Sequence, residues 1–170
     1  MDNSSAIQRI LDIESITQLK ARYCRFIDTK QWDGLKELFA ADTRFDGFGS
    51  APTGADVDTF VRGVATRLQN SISIHQCHMP EMVFISSDYA RVIWAMMDYV
   101  EWPTGFSPHE APGSRGFYGY GHYEEEYRRI GGAWKISFLR LTRLRIDPIP
   151  MDNPLPGPVR VSASTDWLPR

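Results

Sequence analysis

Apolar positions follow two different rhythms along the chain. Up to Gln69 they recur at steps of three and four, and from Ser71 onward they tend to alternate. Ile7, Ile10, Leu11, Ile16, Leu19, Tyr23, Phe26 and Ile27 predict a helix over residues 5–29, with a stripe wide enough to be well covered. Ser5 and Gln8 match a capping box at its start. Trp32, Leu35, Leu38 and Phe39 give the buried side of a second, short helix over residues 31–41. Residues 42–48 read as a strand whose large residues are Phe45 and Phe48, and the Gly/Pro-dense G-F-G-S-A-P-T-G that overlaps its end is a loop. Val57, Phe60, Val61, Val64, Ala65 and Leu68 then predict a third helix over residues 55–69.

The second half reads as extended. Residues 72–85 form one strand, broken or bulged near Pro80, because proline offers no ladder hydrogen bond. Strands over 89–102, 117–130 and 133–146 follow, with Ser86-Ser87-Asp88 and Gly131-Gly132 as tight turns and a mobile loop over 103–115. The tail, 147–170, holds six prolines and is expected to be irregular. Helices first and an antiparallel meander after them make an α+β fold, with about three N-terminal helices packed on one side of a curved, mostly antiparallel sheet. One domain over 1–146 and a proline-rich tail over 147–170 account for the chain, with no internal repeat.

Composition narrows the function classes. The chain has 170 residues, 42 % of them hydrophobic and 24 % charged, which suits one core. A net charge of −2 argues against broad binding of nucleic acid, which needs a basic face. No apolar run is long enough to span a membrane, and the polar M-D-N-S-S start does not resemble a signal peptide. Cys24 and Cys77 make neither a CxxC pair nor a zinc set, and are expected to be reduced thiols in a cytoplasmic protein. No HxxxH or HExxH spacing occurs, so neither a metal nor an organic cofactor is expected.

Candidate chemistry centres on S-I-S-I-H-Q-C-H-M-P-E, residues 71–81. Histidine titrates near neutral pH, so His75 is a candidate general base, although a histidine in an apolar strand also fits a structural role. His78 lies three positions on and faces the other side of a regular strand, unless a bulge near Pro80 turns it. Asp98 lies in V-I-W-A-M-M-D-Y-V, where alternation puts Trp94, Met96, Asp98 and Val100 on one face. A carboxylate there needs a partner or a polar cavity, or else it faces solvent at an edge. Tyr23 and Asp28 are ~140° apart round a helix and share a site only where the helix ends in a cavity. Otherwise Asp28 is an exposed terminal residue and Tyr23 plain core. Glu124-Glu125-Glu126, followed by Arg128-Arg129, reads as a solvated strand face with cross-strand pairs.

Four blocks in order carry a resemblance: I-E-S-I-T-Q-L-K-A-R-Y-C-R-F-I-D, W-D-G-L-K-E-L-F-A-A-D-T-R-F, I-H-Q-C-H-M-P-E-M, and Y-E-E-E-Y-R-R-I-G-G-A-W-K-I. Over residues 5 to 146 the chain resembles a SnoaL-like domain of the nuclear-transport-factor-2-like superfamily, which implies a cone-like α+β fold. Its spacing is most similar to members of the scytalone dehydratase, bile-acid 7α-dehydratase and hexachlorocyclohexane dehydrochlorinase type. In that subgroup an Asp ending the first helix pairs with a His on the strand after the third helix, and a Tyr often precedes the Asp. The resemblance implies Asp28, His75 and Tyr23 for these roles, with Asp98 as a further acid. The His of the subgroup stands 13 residues ahead of the Asp in the following turn, as His75 stands to Asp88. The implied cone would be walled by aromatic and Met side chains. Phe45, Trp94 and Met96 are then expected to bind substrate, with His78 and His122 as further lining.

These features lead to a cofactor-free lyase, a dehydratase, or a double-bond isomerase. It would work by His/Asp acid–base catalysis on a small hydrophobic ring substrate of steroid-, polyketide- or terpenoid-like type. Alternatives are a polyketide-cyclase-like enzyme, a non-catalytic ligand-binding or dimerisation module, and the non-catalytic subunit of an oxygenase. Analogy with other cones implies a homo-dimer or homo-trimer, with no nucleic-acid or membrane partner.

Overall fold

The computed structural model describes residues 3–103, 105–157 and 167–168. It has the α+β architecture predicted above. Helices α1 (Asn3–Asp28), α2 (Trp32–Lys36) and α3 (Val57–Leu68) pack on a five-stranded sheet. Its strands are β1 (Phe39–Asp46), β2 (Ile72–Phe84), β3 (Tyr89–Glu101), β4 (Ser114–Ile130) and β5 (Ala133–Pro150). The spatial order is β1-β5-β4-β3-β2. Only the β1–β5 pair among these is parallel. No helix among the described residues is long and apolar enough to cross a membrane.

Helix α1 starts two residues before the predicted capping box, and the Gln8 amide donates forward to Asp12 Oδ1 at 3.0 Å. Its buried side begins at Asp12 and runs through Ile16, Leu19, Tyr23 and Ile27. Ile7, Ile10 and Leu11 remain 58 %, 65 % and 53 % exposed, so the stripe is covered over only part of its length. The second helix is shorter than predicted because tertiary pairing claims its end. The Leu38 carbonyl accepts the Ile136 N–H at 3.0 Å, and Phe39 pairs with Ile136, so the chain is already strand at Phe39. Helix α3 opens on Asp56, whose carboxylate accepts the Thr59 N–H at 2.8 Å.

Strand β2 shifts register between His78 and Glu81, where Pro80 was expected to interrupt the ladder. Gly131 and Gly132 both take positive φ, 58° and 84°, in the turn that joins β4 to β5. Such a turn is nearly closed to side chains with a Cβ. The last strand runs to Pro150 rather than Ile146, because Asp147 to Pro150 continue the pairing with β4. Arg115 then donates to the carbonyls of Asn153 and Pro154 at 2.6 and 2.8 Å, which ties down the start of the tail. Residues 158–166 and 169–170 of the predicted irregular tail lie outside the described residues.

Register shifts between Tyr120 and Gly121 and between Glu126 and Tyr127 bulge the β4–β5 ladder. Bulges sharpen the local bend of a sheet. The concave face receives the helices, and Phe39, Phe45 and Phe60 form the aromatic centre of the core. Phe45 and Phe60 stack with ring centroids 3.8 Å apart.

Candidate active site

The site is built where α1 stops. Gln31 N–H bonds to the Phe26 carbonyl at 2.8 Å and Lys30 N–H to the Ile27 carbonyl at 3.2 Å, while Lys30 takes φ 60°. This is the Schellman pattern, which turns the backbone away from the helix axis. Asp28, the last helical residue, therefore meets β2 with its side chain. Its Oδ1 lies 2.7 Å from His75 Nδ1, and its Oδ2 accepts the His75 backbone N–H at 2.8 Å. A carboxylate only accepts, so Nδ1 is a protonated nitrogen, and in the neutral ring Nε2 keeps the lone pair. No other described residue hydrogen-bonds the ring. The His75 side chain is 7 % exposed and that of Asp28 22 %, and of the two only His75 lines the adjoining cavity.

His75 lines a cavity of about 130 Å³ between the helices and the concave sheet face. Tyr23, Tyr123, Phe48, Phe60 and Leu141 form much of its wall. Tyr23 and Tyr123 are each 1 % exposed and meet edge to face, 5.8 Å between centroids. Burial pushes both phenols well above their ordinary pKa, with the Glu125 charge adding to Tyr23 and Tyr23 adding to Tyr123. Both therefore stay protonated and remain donors. Beneath them lies Lys20, its Nζ 4.0 Å from the Tyr23 ring centroid and 3.6 Å from that of Tyr123. Lys20 pairs with Glu125, and both side chains are essentially fully buried. Burial disfavours the ammonium, but the Glu125 carboxylate outweighs it and holds the Lys20 pKa above its ordinary value.

A second ion pair forms another part of the wall. Arg143 Nη1 and Nη2 donate to the two Asp98 oxygens, both at 2.7 Å. Gly119 lies between their strands, and a methyl group there would overlap both side chains. Burial works against the Arg143 charge, and the paired bonds to Asp98 outweigh it, so its pKa is raised. At the other end, Arg67 pairs with Glu110 and reaches His109 Nδ1 at 3.3 Å. The Trp102 indole N–H bonds to the Arg67 carbonyl at 2.9 Å, which holds Trp102 in the cavity wall beside His109 and Glu110.

Of the residues singled out from the sequence, Tyr23, His75 and Asp98 line this cavity and Asp28 backs His75. The others do not line it. Phe45 is buried behind Phe60, and Phe48 takes the wall position instead. Trp94 is buried deeper and donates to the Tyr127 hydroxyl at 3.2 Å. Met96 lies below the cavity, its sulfur 3.8 Å from Arg143 Nη1. His78 is exposed, since the bulge falls after it and leaves it on the face opposite His75. His122 alternates with buried Tyr123 and so faces outward. Glu125 is buried, because the same alternation turns the middle residue of the acidic run inward to Lys20.

Arg67, His109, Glu110, Tyr123 and Arg143 were missed. For Arg143 a signal existed: it continues the two-residue phase of Leu139 and Leu141 toward the interior. His109 and Glu110 sit in a loop, where no periodicity points inward. Among the described residues, no group of three or more His, Cys, Asp or Glu side chains gathers as a metal site.

Residues 8–140 match the SnoaL-like domain family model. A protein of Gibberella zeae named "Probable cyclase FGR4" is 30 % identical over 139 residues, covering 76 % of this chain and 89 % of that one. A type 2 hexachlorocyclohexane dehydrochlorinase (LinA) superposes with a TM-score of 0.75 at 18 % identity, covering 91 % of this chain and 99 % of that one. A candidate scytalone dehydratase of Novosphingobium aromaticivorans gives 0.70 at 16 % identity, covering 88 % and 99 %. The solved structures are similar in fold, and the family match spans most of the chain: the protein belongs to the SnoaL-like domain family.

Proposed function

We propose that this protein is a cofactor-free lyase that removes water from, or shifts a double bond in, a small ring ketone by proton transfer at His75. The observation that carries this reading is the bidentate hold of Asp28 on His75, which leaves Nε2 as a base against a cavity. Names given to relatives, a cyclase, a dehydratase and a dehydrochlorinase, support an enzyme that converts small molecules.

In the proposed cycle, Nε2 takes a proton from the carbon beside the carbonyl. The imidazolium that forms is stabilised by Asp28 across Nδ1–H. Tyr23 donates to the developing enolate oxygen; an aimed donor of this kind contributes ~3 kcal/mol. The imidazolium then returns its proton to the departing hydroxyl, which leaves as water. Both Asp98 oxygens are engaged by Arg143, so Asp98 acts as the counter-ion that fixes this guanidinium in the wall, not as a proton donor. A space of about 130 Å³ suits one six-membered ring, since an apolar cavity of ~150 Å³ holds benzene. Larger steroid- or polyketide-like substrates require Trp102, His109 and Glu110 to move aside. Phe48, Phe60 and Leu141 favour apolar rings.

Ring closure by the same base is a second reading, favoured by the cyclase name of the 30 % identical relative. The two are separated with a panel of β-hydroxy ketones of one to three rings and open-chain poly-β-ketones, followed by absorbance and mass. Water loss from a ring ketone supports the first reading, and isomeric cyclic product without a new double bond the second. His75→Ala should abolish the turnover found, and Asp28→Asn should lower it ~10²–10⁴-fold. Turnover at the parent rate in both folded variants would refute the dyad.

A further inference from the structure

We propose that Cys24 and Cys77 form a reversible disulfide that clamps α1 to β2 beside the Asp28–His75 pair. Both thiols are free, with Sγ atoms 3.6 Å apart across 53 residues of sequence. The bond requires ~2.05 Å, so an approach of roughly 1.5 Å completes it.

The placement ties the pair to the site. Cys24 precedes Asp28 by four residues on α1, one helical turn away on the same side. Cys77 follows His75 by two residues on β2, on the same strand face. Thiol pair and dyad are thus two successive rungs of one helix–strand seam, and closing one braces the other. That consequence for catalysis rests on the function proposed above, whereas the thiol chemistry does not.

Access divides the two sulfurs. Cys24 is 9 % exposed, while Cys77 is half-buried on the edge strand β2, so a small oxidant reaches Cys77 first. The nearby Lys20 ammonium favours the thiolate at both sulfurs, and the hydrogen bond between them, which either thiol can donate, holds whichever ionises; access then decides the order of attack. Cys77 is therefore the attacking sulfur. With a low-molecular-weight disulfide such as oxidised glutathione, the Cys77 thiolate attacks one sulfur and releases one thiolate. The Cys24 thiol loses its proton to solvent and attacks Cys77 Sγ, expelling the second thiolate. Two protein thiols are oxidised and one small disulfide is reduced to two thiols.

The full-length protein is equilibrated in reduced/oxidised glutathione mixtures, quenched in acid, alkylated and weighed. The expected result is a monomeric chain lighter by two hydrogens, with no free thiol, a Cys24–Cys77 cross-linked peptide and full reversal by reductant. Its midpoint of thermal unfolding rises by roughly 5–10 °C. Cys24→Ser should stop at a glutathione adduct on Cys77, and Cys77→Ser should form no intramolecular bond. Two free thiols under strongly oxidising glutathione, or only adducts and inter-chain bonds, overturn the proposal. A disulfide that forms normally in His75→Ala, or in protein without turnover on any probe ketone, separates this inference from the catalytic one.

Discussion

Asp28 accepts from both the backbone N–H and Nδ1 of His75, at 2.8 and 2.7 Å, across 47 positions of sequence. The carboxylate fixes the strand position and the ring tautomer together. In Asp28→Ala the ring should lose its fixed Nδ1–H tautomer. Nitrogen-15 spectra of the parent should show one protonated and one bare ring nitrogen, and the variant should show mixed tautomers. A parent ring already mixed would remove the basis for Nε2 as the base.

Lys20 and Glu125 are a buried pair, and breaking it strands one charge in the core. Lys20→Met should cost about 3–5 kcal/mol of unfolding free energy. The double variant Lys20→Met/Glu125→Leu should recover much of that loss, and Tyr127, which donates to Glu125, limits the recovery. The folded pKa of Lys20 lies above the unfolded one. The stability it contributes is thus fully present below about pH 10.4 and declines as pH rises through the folded value. Denaturant midpoints of the three proteins across alkaline pH provide the measurement. Equal midpoints for single variant and parent would contradict the burial of the pair.

Asp12 connects α1 to the β4–β5 hairpin, accepting from Arg129 at 2.6 Å and from the Trp134 indole at 3.2 Å. Burial alone would raise its pKa, but these bonds and that from Gln8 outweigh it and hold the carboxyl below the usual range. Its contribution is present above about pH 3.9 and is lost as pH falls through the folded value. Asp12→Ala should cost about 1–3 kcal/mol at neutral pH and flatten the acid limb of the stability curve. An acid limb unchanged from the parent would count against this role.

Gly119 is the gap through which Asp98 and Arg143 meet. Gly119→Val should separate the pair, lower turnover and, because the Asp98 carboxylate is left buried without its partner, lower stability as well. Asp98→Asn weakens the same wall by removing the counter-ion. The two changes should combine less than additively in log kcat/KM, because both act through Arg143. Full additivity would mean that Gly119 acts elsewhere.

Local periodicity sufficed for most of the elements and for the α+β class. Stripes at three- and four-residue steps placed α1 and α3, alternation placed β2 to β5, and Gly131-Gly132 placed the last hairpin. These features are written in neighbouring residues, so composition and spacing carry them. The alternation of Trp94, Met96 and Asp98 also gave the inward face of β3 correctly, but not which of the three would meet open space. Depth along the cone decided that: Trp94 and Met96 fall below the cavity and Asp98 falls at it. The conversion of Phe39 from helix to strand required β5 as a partner, and the burial of Glu125 required Lys20 from α1. Arg67, His109 and Glu110 reach the mouth from a helix end and a loop, whose convergence no local pattern records. Which residues share a face is readable along the chain, because it depends on backbone geometry repeated every few residues. Which faces meet, and therefore which charges are paired and which histidines line the cavity, depends on contacts between segments far apart in the chain.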